Sequence, residues 1–175
     1  MHPRTSFLRR LPVLLLVLAL LVPSVASAQP ASEPMLIEQS YLRVTSPYRE
    51  RMGAYQDMLA NFQKLAAAGH LDEITLADLT NLSRELFKAR TTFDEAGPTA
   101  RLDFYHRTIL LGLDRSYEAT VLLLRAQVTE SEADYHSLIR QAGEQTASAM
   151  RLLREAADEF RTIFPALAEQ PQRAL

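Results

Sequence analysis

The chain has 175 residues, 47% of them hydrophobic and 23% charged, with nine Pro, five Gly, no Cys and no Trp. That length suits one domain with a core of its own and is short for two. The absence of Cys excludes disulfide scaffolds, thiolate metal sites, thiol catalysis, covalent c-type haem and a lipidated Cys anchor. A net charge of −2 argues against a nucleic-acid binder, which needs a basic face.

The first 28 residues read as a cleaved signal peptide. Arg4, Arg9 and Arg10 form a basic start, Leu11 to Val22 is an unbroken apolar run, and Ala26-Ser27-Ala28 places small residues before a cut at Gln29. A run of 12 residues is short of the ~20 that a membrane-spanning helix needs. The segment after Arg9-Arg10 does not extend a twin-arginine motif, so the general secretory route is expected. Removing residues 1–28 takes three Arg and no acid, leaving 16 basic against 21 acidic residues. The exported chain is therefore acidic, with no expected attraction to nucleic acid and no membrane association after cleavage.

Residues 29–34 form an expected flexible leader. In the next segment Ile37, Tyr41, Val44, Tyr48, Met52, Tyr55, Leu59, Phe62 and Ala66 step by threes and fours, which is the spacing of one helical face. Gly69 closes the run. Ser46-Pro47 interrupts nothing in the pattern, so the segment is either one kinked helix or a short helix followed by a second that Ser46 caps.

Thr75-x-x-Asp78 opens the second helix as a capping box, with Leu79, Leu82, Leu86, Ala89 and Phe93 as its stripe and Gly97-Pro98 as its stop. Thr99 is positioned to cap a third helix carrying Leu102, Tyr105, Ile109, Leu113 and Leu123. Thr129-x-x-Glu132 reads as the start of a fourth, with Tyr135, Leu138, Ala142, Ala149, Leu153, Ala156, Phe160 and Ile163 on one face. The third turn holds neither Gly nor Pro, so one continuous rod is the competing reading. No segment alternates with period two. The sequence predicts an all-α fold, an antiparallel up-down four-helix bundle over residues 35–165, with a flexible tail at 166–175.

Chemistry-bearing residues are few. In an up-down bundle His70 and His136 lie at one end among Asp72, Glu73, Glu130, Glu132 and Asp134, a set that could hold zinc or copper. Acids at two helix starts explain the same cluster through the helix dipole. Met58 and His136 are the only haem-ligand pair the helix order suggests. Asp103-x-x-His106 shares one helical face, yet no Glu-x-x-His exists, which excludes a di-iron bundle.

A second candidate site is the small-residue seam. Gly112, Ser116 and Thr120 recur every four residues opposite Ala142, Gln145, Thr146 and Ala149. Ser116, Tyr117, Thr120, Gln145 and Thr146 could line a small pocket, or the seam packs tightly with its hydroxyls bonded back to their own helices. The second case places Gly112 and Ser116 against Ala142 and Gln145 or Thr146.

No phosphate loop, nucleophile elbow, zinc-protease motif or Ser/His/Asp set is present. The expected function is a non-enzymatic, exported binding or interaction module of the cell envelope, without a cofactor. Leu110, Leu111, Val121, Leu122 and Leu124 surround most of the third helix, which points to a protein partner or a homo-oligomer. The alternative is a bundle in the same compartment that binds a metal, haem or small ligand.

Overall fold

The structure is a computed structural model that describes residues 34–168. The expected signal peptide at 1–28, most of the expected leader at 29–34, and the tail beyond Ala168 lie outside the described residues. Among the described residues five helices follow one another: α1 (Leu36–Ala67), α2 (Leu76–Ala96), α3 (Asp103–Val128), α4 (Glu132–Ile163) and the short α5 (Pro165–Ala168), with 3-10 turns at Leu71–Glu73 and Ala100–Leu102. Among the described residues there is no strand.

The four long helices share one core. α1 meets α2 through Tyr41–Phe93 and Tyr55–Glu85, and α2 meets α3 through Arg90–Asp114 and Phe87–Tyr117. Gly112 of α3 lies on Leu153 of α4, and α4 returns to α1 through Gln63–Ile139 and Arg49–Phe160. In each pair of helices, contacts that move forward along one element move backward along the other.

Local chemistry accounts for most boundaries. α1 is a single helix of 32 residues that runs through Pro47, so Ser46 caps nothing and instead donates to Glu50 Oε1 at 2.5 Å. Pro47 supplies no N–H to the turn before it, and it sits on the exposed side, where water can serve the freed carbonyl. Gly69 and Gly97, at φ 84° and 62°, end α1 and α2 in a region that side chains disfavour. The Thr75/Asp78 box closes in both directions, at 3.1 and 3.3 Å.

Two expected caps are corrected. Thr99 precedes a 3-10 turn rather than α3 itself, and its hydroxyl donates to Glu38. Ser131, not Thr129, caps α4 by accepting from the Asp134 N–H at 3.3 Å. Thr129 is extended, at φ −80° and ψ 139°, so the chain breaks between α3 and α4 and does not form one rod. The tail's first residues are also helical, as α5.

The stripes of α2 and α3 are buried as their spacing predicts, from Leu79 to Phe93 and from Leu102 to Leu123. The first turns of α1 differ. Ile37 and Val44 are exposed at 70% and 46%, while Glu38, Leu42 and Thr45 are buried in their place. The inward stripe 38-41-45-48-52 keeps the same three-and-four step as the rest of the helix but places polar residues on it.

Candidate functional site

The small-residue seam is closely packed at Gly112. A Cβ there would lie 2.6 Å from Leu153 Cδ2, 2.7 Å from its Cγ and 3.4 Å from its backbone nitrogen. Gly112 therefore opposes Leu153, further along α4 than the expected Ala142, Gln145 or Thr146. Ser116 donates to Gly112 O at 2.9 Å, Thr120 to Ser116 O at 2.9 Å, and Thr146 to Ala142 O at 2.8 Å. All three hydroxyls are buried and bonded back to their own helix. Gln145 is half-buried and accepts from Arg115 at 3.3 Å. Tyr117 points outward against Phe87, with ring centroids 6.1 Å apart. The five residues do not converge on one point.

The histidine pair is also dispersed among local partners. His70 Nδ1 lies 3.1 Å from Glu73, and His136 Nε2 lies 3.8 Å from Glu132, all four side chains being more than half exposed. Among the described residues no group of three His, Asp or Glu side chains is close enough to hold a metal ion. Met58, the other half of the haem pairing, is exposed. Two surface hollows of about 410 and 480 Å³ lie elsewhere, one beside Arg125, Val128 and Gln141, the other beside Phe104, Arg151 and Asp158.

The polar chemistry gathers instead at the end of the molecule where α1 starts, α3 starts and α4 stops. Glu38 is fully buried, and its carboxylate accepts from Met35 N–H at 2.9 Å, Thr99 Oγ1 at 3.4 Å and Arg101 Nη1 at 3.4 Å. Arg101 also donates to Ile163 O at 2.7 Å and lies over the Phe164 ring. One guanidinium thereby serves an orphan carbonyl at the end of α4 and the carboxylate at the start of α1.

Next to it, the Tyr41 hydroxyl and His106 Nδ1 are 3.1 Å apart, both buried. Tyr41, Tyr105 and Phe160 form an edge-packed chain of rings, with Arg49 stacked on Phe160 at 4.6 Å. The Tyr105 hydroxyl has no hydrogen-bond partner among the described residues. Asp103, on the same helical face as His106, pairs with Arg107 while its charge still acts on the imidazole.

Burial sets the protonation of this cluster. It pushes the Tyr41 phenol far above its ordinary range, Tyr105 adding to the shift and Arg49 opposing it. It pushes Tyr105 up to about 12, again against Arg49. It pulls the His106 imidazole down, with Asp94 and Asp103 acting the other way. At neutral pH the phenols are protonated and the imidazole is neutral, an arrangement of donors and acceptors with no activated nucleophile. What it does is fasten three segments together.

Apolar periodicity missed Glu38, Arg101 and the Tyr41–His106 pair. The one available signal was that a strict three-and-four step through α1 lands on Glu38 and Thr45, two polar residues that would then need partners. No protein-family model, curated protein or solved structure matches this chain.

Proposed function

We propose that the chain is an exported, non-enzymatic interaction module of the cell envelope, built as an antiparallel up-down four-helix bundle. The helix order and the opposed contact pairs support the topology, and the pattern of residues 1–28 supports export and cleavage. The observation that carries the interaction reading is the outer groove between α2 and α3. Phe87 is 56% exposed and Tyr117 37% exposed, and they face each other across it. Their register, continued along the antiparallel pair, brings Leu76 toward Val128, both more than half exposed. Leu111, half exposed, adds to the apolar surface of α3. This is apolar area that the monomer leaves in water, of the kind that a protein partner covers.

The partner is a second copy of the chain or another envelope protein. Sedimentation of residues 29–175 over a wide concentration range separates the two. Self-association, or apolar-dye binding by a monomer, is expected to disappear in Phe87→Ser/Tyr117→Ser with little change in melting temperature. A strict monomer that binds no apolar dye overturns the reading. Export is checked separately, since N-terminal sequencing of protein from its native cells should begin at Gln29.

A further inference from the structure

We infer that the first three turns of α1, up to Pro47, form a pH-released segment: neutral His106 holds it down through Tyr41, and protonation of His106 lets it lift about the proline.

The segment is attached in an unusual way. Three of its apolar residues point outward, Leu36, Ile37 and Val44 being exposed at 82%, 70% and 46%. Its inward face is Glu38, Tyr41, Leu42 and Thr45. The Thr45 hydroxyl is bonded back to Tyr41 O at 2.9 Å and ties nothing across the core. Little aliphatic area therefore holds this stretch. Beside the buried Leu42 and the Tyr41 ring on Phe93 and Tyr105, two polar fastenings hold it, Glu38 on Arg101 and Thr99, and Tyr41 on His106. Below Pro47 the same helix is held by Met52, Tyr55, Leu59, Phe62 and Ala66, all buried. The change from apolar to polar attachment falls at the proline, where a missing N–H weakens the ladder.

The second fastening depends on charge. A neutral imidazole with Nδ1 unprotonated accepts the Tyr41 O–H. A protonated one donates from both nitrogens, so Tyr41 must turn its hydroxyl and find another acceptor inside the core. The groups that face His106 are Tyr41 from α1, Asp94 from α2 and Asp103 from its own helix. Asp94 and Asp103 are already engaged by Arg90 and Arg107. On the α4 side, Phe160 offers an aromatic ring to Tyr105 and no charge. His106 is only 6% exposed, so water does little for the new charge. Its lowered affinity for protons agrees with this and places the transition in mild acid, below the ordinary histidine range.

Amide hydrogen exchange on residues 29–175, at about pH 7 and about pH 5 and corrected for intrinsic rates, tests the inference. Protection over residues 36–46 should fall on acidification while α2 and the remainder of α1 keep theirs. One linked proton limits the change to about tenfold per pH unit. His106→Gln retains an acceptor and removes the titration, so its segment should exchange alike at both pH values. An NMR titration of His106 in the wild-type chain should place it below the ordinary histidine value of about 6.5, and this measurement stands even if the Gln variant does not fold. Protection at 36–46 that ignores pH, a pH response unchanged in His106→Gln, or a His106 that titrates at or above the ordinary histidine range overturns the inference.

Discussion

Replacing Gly112 by Ala pits two opposed effects against each other. Alanine in a helix interior is favoured over glycine by about 1 kcal/mol. Its Cβ would sit 2.6 and 2.7 Å from Leu153 Cδ2 and Cγ, inside contact distance. Leu153 is 5% exposed, and its Cγ lies too near the backbone to swing clear alone, so α3 and α4 must part. Overpacking of this kind costs about 1–3 kcal/mol. The crowding involves a branch atom, with the Leu153 backbone nitrogen only 3.4 Å away, which favours the upper half of that range. Gly112→Ala should then lose about 1–2 kcal/mol net, and Gly112→Leu more.

Urea unfolding followed by far-UV circular dichroism reads this directly, and each kcal/mol lowers Tm by about 2–4 °C. Leu153→Ala alone should cost about 2–5 kcal/mol. Combined with Gly112→Ala it should cost at least about 0.5 kcal/mol less than the two single changes added together, because each relieves the other. A Gly112→Ala variant that gains its full helix preference, additive with Leu153→Ala, would refute close packing. A stabilising Gly112→Leu would show open space at the seam instead.

Arg101→Ala should cost about 3 kcal/mol or more, because it strands a fully buried carboxylate; Glu38→Gln/Arg101→Ala should cost less than Arg101→Ala alone, and equal losses in chemical denaturation would argue against the pairing. In alkali, Tyr41 and Tyr105 hold their protons more tightly folded than unfolded, so stability is complete below the ordinary tyrosine range near 10 and declines as pH rises above it. Phenolate absorbance should show these two ionising only as the helical signal is lost. Ser131→Ala should lose about 1 kcal/mol and Thr129→Ala nearly nothing, since only the former hydroxyl caps α4; the reverse order in thermal melts would restore the earlier helix start.

The fold was legible where apolar residues alone decide the packing. α2 is an example: a capping box, five apolar residues at helical spacing and a Gly stop suffice to define its ends and its buried face. The start of α1 was misread because Ile37 and Val44 extend an apolar stripe that the tertiary structure does not use. Glu38 and Thr45 take the inward places, and Glu38 can do so only because Arg101 and Thr99 arrive from another part of the chain. Local pattern holds no record of such partners. At the α3–α4 turn, Thr129-x-x-Glu132 has the form of a capping box, yet the helix begins only at Glu132 and the hydroxyl that accepts the Asp134 N–H is that of Ser131. His106 was visible as a histidine at a helix margin, while its hydrogen bond depends on a tyrosine 65 positions away.

The hydroxyls of Ser116, Thr120 and Thr146 satisfy themselves within their own helices, which gives the α3–α4 seam a smooth surface. Smooth surfaces slide. The axial position of the helices must then be measured at points where a side chain of one element reaches a main-chain oxygen elsewhere: Gln63 to Ile139, Tyr135 to Ala66, Gln127 to Ile74 and Arg101 to Ile163. These four act as graduations on a ruler, each specifying one backbone carbonyl. Replacing Ser116, Thr120 or Thr146 by Ala should leave the helices aligned, since none of these hydroxyls reaches across the seam. Loss of a graduation leaves the close fit of Gly112 on Leu153 as the mark that remains in the seam, and a helix held by fewer marks can settle one turn away with its apolar stripe still covered.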